Sequence, residues 1–244
     1  TDTLSTFAMC SEREDVLRMQ LELPVKVHLF EGRDLREALT RKTAHFGRSR
    51  VPPPFAFAPW NDAIFGSTEV RRVAKIIRDN KIPSSVIWSE DWRGGEDSVA
   101  IKDGYALLEE WDLDRTLYPD FENLAGELHG AGFKWLVYFN PFVEKISKAW
   151  PETEPQGWLI KKGQAAYEFD DAKFEKASLI DLTHPDANAW AVGKMKASIT
   201  LGADGWMGDF SEWLPTDATL AGGTGEQWHN KYPVLWQKAQ REAM

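Results

Sequence analysis

Lys134-Trp135-Leu136-Val137-Tyr138-Phe139 is a continuous apolar and aromatic run after its first residue, and Asn140-Pro141 ends it. A run this short and this apolar reads as a strand buried on both faces, the kind a parallel sheet uses. Upstream of it, residues 121–131 carry helical spacing, and residues 84–88 form another short apolar run. Before that come a helix over 68–80, with apolar Val70, Val73, Ile76 and Ile77, and a strand over 55–60. Downstream, a helix is predicted over 185–201, a strand over 205–208 and a helix over 225–244. Four alternating βα units predict an α/β fold around a parallel sheet. Their strands lead into Trp60-Asn61-Asp62, Glu90-Asp91-Trp92, Asn140 and Asp209, and parallel sheets keep their chemistry at such carboxyl ends.

A doubly wound sheet is the alternative, but no glycine-rich phosphate loop follows any strand. Gly222-Gly223-Thr224-Gly225 comes after Leu214-Pro215, with spacing that fits neither a dinucleotide fingerprint nor a P-loop. All twelve Trp lie between Trp60 and Trp236, which sets a composition boundary at Val51-Pro52-Pro53-Pro54. Before it, residues 21–30 read as a strand ending at Gly32, and Asp34 caps a helix over 35–46. Residues 1–54 are thus expected to be the end of an upstream β-domain with a connecting helix, and 55–244 a separate unit. Thr1 is not an initiator Met, so preceding sequence is expected.

Composition narrows the chemistry. A net charge of −9, from 29 basic and 38 acidic residues, argues against a nucleic-acid surface. No apolar stretch reaches membrane-spanning length and no export leader is visible, so no membrane partner and a cytoplasmic location are expected. Cys10 is the single cysteine, which excludes an internal disulfide. His28, His45, His129, His184 and His229 are scattered without metal-ligand spacing, so neither a metal nor a cofactor is expected. His184 before Pro185 reads as a helix start, and His129 as a cation at a helix C-terminus.

The densest chemistry is Gly205-Trp206-Met207-Gly208-Asp209-Phe210-Ser211-Glu212-Trp213. A strand-end carboxylate, a second carboxylate three residues on and interleaved aromatics suit a sugar pocket, because carboxylates act on anomeric carbons and aromatic faces pack on pyranose rings. Spacing alone leaves the other reading equal, with Asp209 a cap and the tryptophans core. Asp181, in Leu179-Ile180-Asp181-Leu182-Thr183, is a rival strand-end acid.

The run GWMGDFSEWLPTDA resembles the nucleophile segment of glycoside hydrolase family 31, in its α-glucosidase and sulfoquinovosidase-like branch. VIWSEDWRGG, KWLVYFNPFV and LIDLTHPDANAW follow the family's order, and the resemblance covers roughly residues 30–244. It implies a (β/α)8 TIM barrel, of which this chain holds about the first half, preceded by the tail of an N-terminal β-sandwich domain. It further implies a retaining α-glycosidase acting on a terminal α-linked sugar, an α-glucoside or a sulfoquinovoside. Asp209 is then the nucleophile and Glu212 a supporting acid. Glu90, Asp91 and Trp92 are the substrate contacts it implies, and the strand ends and interleaved aromatics add Asn140, Trp60 and Trp206 as candidates. The general acid is expected beyond residue 244, so the segment alone is expected not to turn over.

The insertion after the second strand departs from the sulfosugar pattern. It is rich in acids, and Arg93, Lys102 and Arg115, with Trp111 as aromatic neighbour, are its candidates for a sulfonate. A carbohydrate is the expected partner on either reading. The alternative to catalysis is a binding-only or degenerate relative.

Overall fold

The computed structural model describes residues 5–21, 26–94, 107–108, 110–169 and 176–244, in two compact units, Thr1–Ala56 and Phe57–Met244. In the first, β1 (Ser5–Met9) and β2 (Leu17–Leu21) form an antiparallel hairpin with Ser5 opposite Leu21. Helix α1 (Leu35–Phe46) begins where expected, with the Asp34 carboxylate accepting from the Glu37 amide at 2.8 Å. The strand predicted over 21–30 is not formed in its described part, and residues 22–25 lie outside the described residues. Leu21 closes β2, and residues 26–32 have no regular structure. The His28 and Phe30 rings lie against His45 of α1, at 4.8 and 5.7 Å between centroids.

The second unit is built on β3 (Trp60–Asp62), α2 (Gly66–Asp79), β4 (Val86–Trp88), α3 (Phe121–Gly130) and β5 (Lys134–Phe139). An excursion follows, with β6 (Phe142–Glu144), α4 (Ala149–Thr153), β7 (Lys161–Lys162), β8 (Ala165–Ala166) and β9 (Ala177–Leu179). The chain then returns through α5 (Pro185–Thr200) to β10 (Gly205–Gly208). β11 (Thr219–Leu220), β12 (Gly223–Thr224), α6 (Gly225–Trp228) and α7 (Tyr232–Ala243) complete it. The main sheet runs β10-β5-β4-β3, every pair parallel.

Two sequence expectations shift. The first strand begins at Trp60 rather than spanning 55–60, because the proline run supplies no ladder donors and Pro54–Phe57 takes a 3-10 turn. The last helix divides into α6 and α7, as Pro233 enters the first turn of α7. Thr224 and Gln227 form a reciprocal cap on α6, which is the work of the Gly222-Gly223-Thr224-Gly225 stretch.

Alternation along the strands sorts the side chains. On one face Ile87, Trp135, Val137 and Phe139 pack with Val70 and Ile77 of α2 and with Phe121, Leu124 and Leu128 of α3, and Phe121 stacks on Trp135 at 4.1 Å. Each such side chain, fully buried, contributes about 1.5–3 kcal/mol. The register puts Trp60 beside Val86, and Asp62 beside Trp88 and Leu136, on the face turned away from the helices. Gly66 starts α2 at φ +85°, and a Cβ there would sit 2.6 Å from the Leu117 carbonyl oxygen. Among the described residues no helix is long and apolar enough to cross a membrane.

Candidate active site

Asp209 follows β10 directly. Its amide donates to the Phe139 carbonyl at 2.9 Å, which carries the parallel ladder one residue past the strand. Gly208 faces α7, where a Cβ would collide with the Gln240 side chain. Asp209 therefore points to the opposite face, the one that carries Trp88 and Tyr138. Tyr138 Oη donates to Asp209 Oδ2 at 3.0 Å, and the Trp88 ring lies 6.3 Å from the Tyr138 ring. Phe210 takes a left-handed φ of +53°, turning the chain sharply after the carboxylate. Its ring meets Trp213 edge-on at 5.9 Å. Glu212 is exposed on the same loop.

Asp62 closes the carboxyl end of β3 on this same face and is exposed. Burial of its inner side, and then the charge of Asp91, push its pKa up to about 6. Among the described residues it has no ion-pair partner. Asp62, Trp88 and Tyr138 join Asp209 through strand register, which a reading of strand ends by sequence does not supply.

Several predicted contacts lie elsewhere. Asp91 is 1% exposed in the turn Glu90–Arg93. Its Oδ2 accepts from the Phe65 amide at 2.6 Å and its Oδ1 from the Tyr118 hydroxyl. Burial raises its pKa against the pull of those two donors. Trp92 is equally enclosed, with Nε1 donating to the Tyr138 carbonyl at 2.8 Å. Trp206 shares a face with Val137 and Phe139, and its Nε1 donates to Gln240 Oε1 at 3.0 Å, so it packs against α7. Asp91 and Trp92 are turned inward by the 3-10 turn and Trp206 by strand alternation, so in this structure all three pack into the frame. Trp60 begins β3 instead of ending it, two residues below the mouth. Glu90 is half-buried at the first residue of its turn, next to β4. Asn140 follows β5 and is fully buried. Its Oδ1 accepts from the Phe142 amide at 3.1 Å, while Nδ2 finds no partner among the described residues.

The rival acid is absorbed in the frame. Asp181 Oδ1 accepts from the Thr183 amide and hydroxyl, and Oδ2 accepts from the Ala221 amide at 2.6 Å, which pins the β9–α5 loop to the segment after Asp209. His184 caps α5, its Nδ1 accepting from the Asp186 amide at 3.2 Å. His129 pairs with Asp204 at 2.6 Å. Of the cations in the insertion, Arg93 is 1% exposed and donates to the Glu110 carbonyl at 2.8 Å. Arg115 is forked onto Glu122 at 2.7 and 2.6 Å. Lys102 lies outside the described residues. Trp111 is buried with Nε1 on the Phe142 carbonyl at 2.8 Å. Among the described residues no three His, Cys, Asp or Glu side chains are grouped to hold a metal ion.

Residues 49–244 match the model of the glycosyl hydrolases family 31 TIM-barrel domain. Over 220 residues the chain is 31% identical to the sulfoquinovosidase of Escherichia coli (strain K12), covering 88% of this chain and 32% of that protein. It is 25% identical over 247 residues to an alpha-xylosidase of Lactiplantibacillus pentosus, covering 98% and 31%. A solved family 31 sulfoquinovosidase from E. rectale, in complex with an aza-sugar inhibitor, superposes with a TM-score of 0.76 at 30% identity, over 84% of this chain and 31% of that one. The chain spans about a third of the length of the curated relatives it matches. With four parallel strands in order and a family match that runs from residue 49 through β10, the chain belongs to glycoside hydrolase family 31.

Proposed function

We propose that this chain carries the nucleophile of a retaining α-glycosidase. Asp209 attacks the anomeric carbon of a terminal α-linked sugar while the glycosidic C–O bond breaks and the leaving oxygen takes a proton from a general acid. Water then attacks the glycosyl-Asp209 ester and gives up a proton to that same acid, now a base. The acid comes from beyond residue 244, and Glu212 supports the nucleophile loop. The observation that carries this reading is the Asp209 carboxylate at the carboxyl end of β10, oriented by Tyr138 on the face away from the helices. A hydroxyl donating to one oxygen leaves the other free to attack and fixes its direction.

A neutral sugar fits the charges better than a sulfosugar, although sulfoquinovosidases are among the relatives. A sulfonate wants a forked cation, and the described arginines of the insertion are occupied by Glu110 and Glu122. Asn140 Nδ2, buried and without a partner among the described residues, is a candidate contact for a sugar hydroxyl, and half-buried Glu90 after β4 is another.

The test is covalent trapping on the full-length protein with 5-fluoro-α-glucosyl fluoride, followed by peptide mapping. Label on Asp209, and a loss of at least about 10⁴-fold in kcat for Asp209→Asn, are the expected results. An unlabelled Asp209, or turnover retained by Asp209→Asn, defeats the assignment.

A further inference from the structure

The face that holds Asp209 carries a second carboxylate that the mechanism does not use. Asp62 ends β3 in register with Trp88, whose ring neighbours Tyr138, whose hydroxyl holds Asp209. Asp62, Trp88, Tyr138 and Asp209 therefore share one face and run diagonally across three neighbouring strands to the end of a fourth, with Tyr138 two residues beyond Leu136, the residue level with Trp88. A row of this kind, with an aromatic face between two carboxylates, suits a polyhydroxylated ring: the aromatic face takes the C–H side and the acids accept from hydroxyls.

The surroundings of Asp62 are acidic. The charged group that acts on it is Asp91, itself held by the Phe65 amide and the Tyr118 hydroxyl. No lysine or arginine among the described residues pairs with Asp62. A sugar hydroxyl can donate to such a carboxylate, whereas a sulfonate or carboxylate substituent brings like charge to a carboxylate that no cation among the described residues offsets. Discrimination of this kind works by repelling the wrong ligand as much as by contacting the right one.

We infer that Asp62 is a specificity-determining residue of this pocket, accepting a hydrogen bond from a hydroxyl of an uncharged α-glycoside and excluding sugars that carry an anionic substituent. The inference rests on the glycosidase reading of Asp209 and extends it to the class of sugar.

The experiment compares the full-length protein with Asp62→Asn on 4-nitrophenyl α-glucoside and 4-nitrophenyl α-sulfoquinovoside. Neutralising Asp62 should raise the ratio of kcat/KM for the sulfoquinovoside to that for the glucoside by at least about 10-fold, as expected for removal of one like-charge contact. The change should fall mainly on KM. Asp62→Ser, smaller and uncharged, should shift the ratio in the same direction and serves if the Asn variant does not fold. Equal losses on both substrates, or a ratio unmoved in both variants, overturn the inference, because a structural defect lowers both activities together. Trapping at Asp209 in the unsubstituted protein separates the two claims. Without that label the glycosidase reading fails, and with it an unmoved ratio defeats the role of Asp62 alone.

Discussion

Tyr138 donates to Oδ2 of Asp209 at 3.0 Å, and the two residues sit on neighbouring parallel strands whose register pairs Tyr138 with Met207, two residues before the carboxylate. The Tyr138 ring is buried, so its hydroxyl is delivered by packing rather than by a mobile side chain. Hydrogen bonds to a charged group are worth about 1.5–3 kcal/mol. Tyr138→Phe keeps the ring and removes the donor, so kcat for an α-glycoside should fall by about 10- to 100-fold with little change in KM. An unchanged kcat in steady-state assays of the full-length protein would show that Asp209 is oriented by other means.

Asp91 joins the β3–α2 loop to the turn after β4 and to Tyr118. Asp91→Ala leaves the Phe65 amide and the Tyr118 hydroxyl without their acceptor in a buried setting, and should destabilise the protein by about 2–4 kcal/mol. Chemical denaturation measures this. A variant with undiminished stability but a raised KM would return Asp91 to the substrate.

Asp62 links stability to pH. Its folded pKa of about 6 lies above the ordinary Asp value near 3.9, so the folded state holds this proton more tightly than the unfolded chain. The stability tied to that proton is full below about pH 4 and is lost as pH rises through about 6. Asp62→Asn removes the dependence, so the melting temperature of the variant should gain on that of the parent between pH 4 and pH 6 and hold its lead above. Parallel melting curves across this window would contradict the shift.

Asp181 and Asp209 both follow strands, yet Asp181 has both oxygens engaged by backbone amides and a hydroxyl. Asp181→Asn should lower the melting temperature while covalent label still arrives on Asp209. Loss of all label in a folded Asp181→Asn protein would revive the rival acid.

Gly66 occupies a left-handed conformation against the Leu117 carbonyl. Gly66→Ala combines a disfavoured φ with a 2.6 Å approach to backbone that cannot rotate away, and should cost about 2–4 kcal/mol in equilibrium unfolding. A neutral outcome would mean that the start of α2 can relax.

Local signals in the chain were enough for the frame. Lys134–Phe139 is a strand because a continuous apolar run of that length buries both faces, Gly205–Gly208 pairs alongside it, and Asp34 starts α1 because its carboxylate reaches the Glu37 amide three residues on. Asp209 and Asp181 both stood out as acids after such runs, and the resemblance of GWMGDFSEWLPTDA to the family's nucleophile segment chose between them. What lay beyond reach was the facing of each side chain. Successive residues of a strand point to opposite sides, so a shift of β3 from residues 55–60 to Trp60–Asp62 moves the strand-end position from Trp60 to Asp62. Trp206 and Asp209 are three residues apart and point to opposite faces, one onto Gln240 of α7 and the other toward Tyr138. Asp91 and Trp92 are enclosed by Phe65, Tyr118 and Tyr138, partners as far as 46 positions away in the chain. The sequence by itself determined the alternating βα frame of the parallel sheet and that Asp209 follows β10, since those depend on neighbours a few residues away. Only the tertiary structure decided which polar groups share a face with that acid, since that depends on register between strands and on what the loops bury.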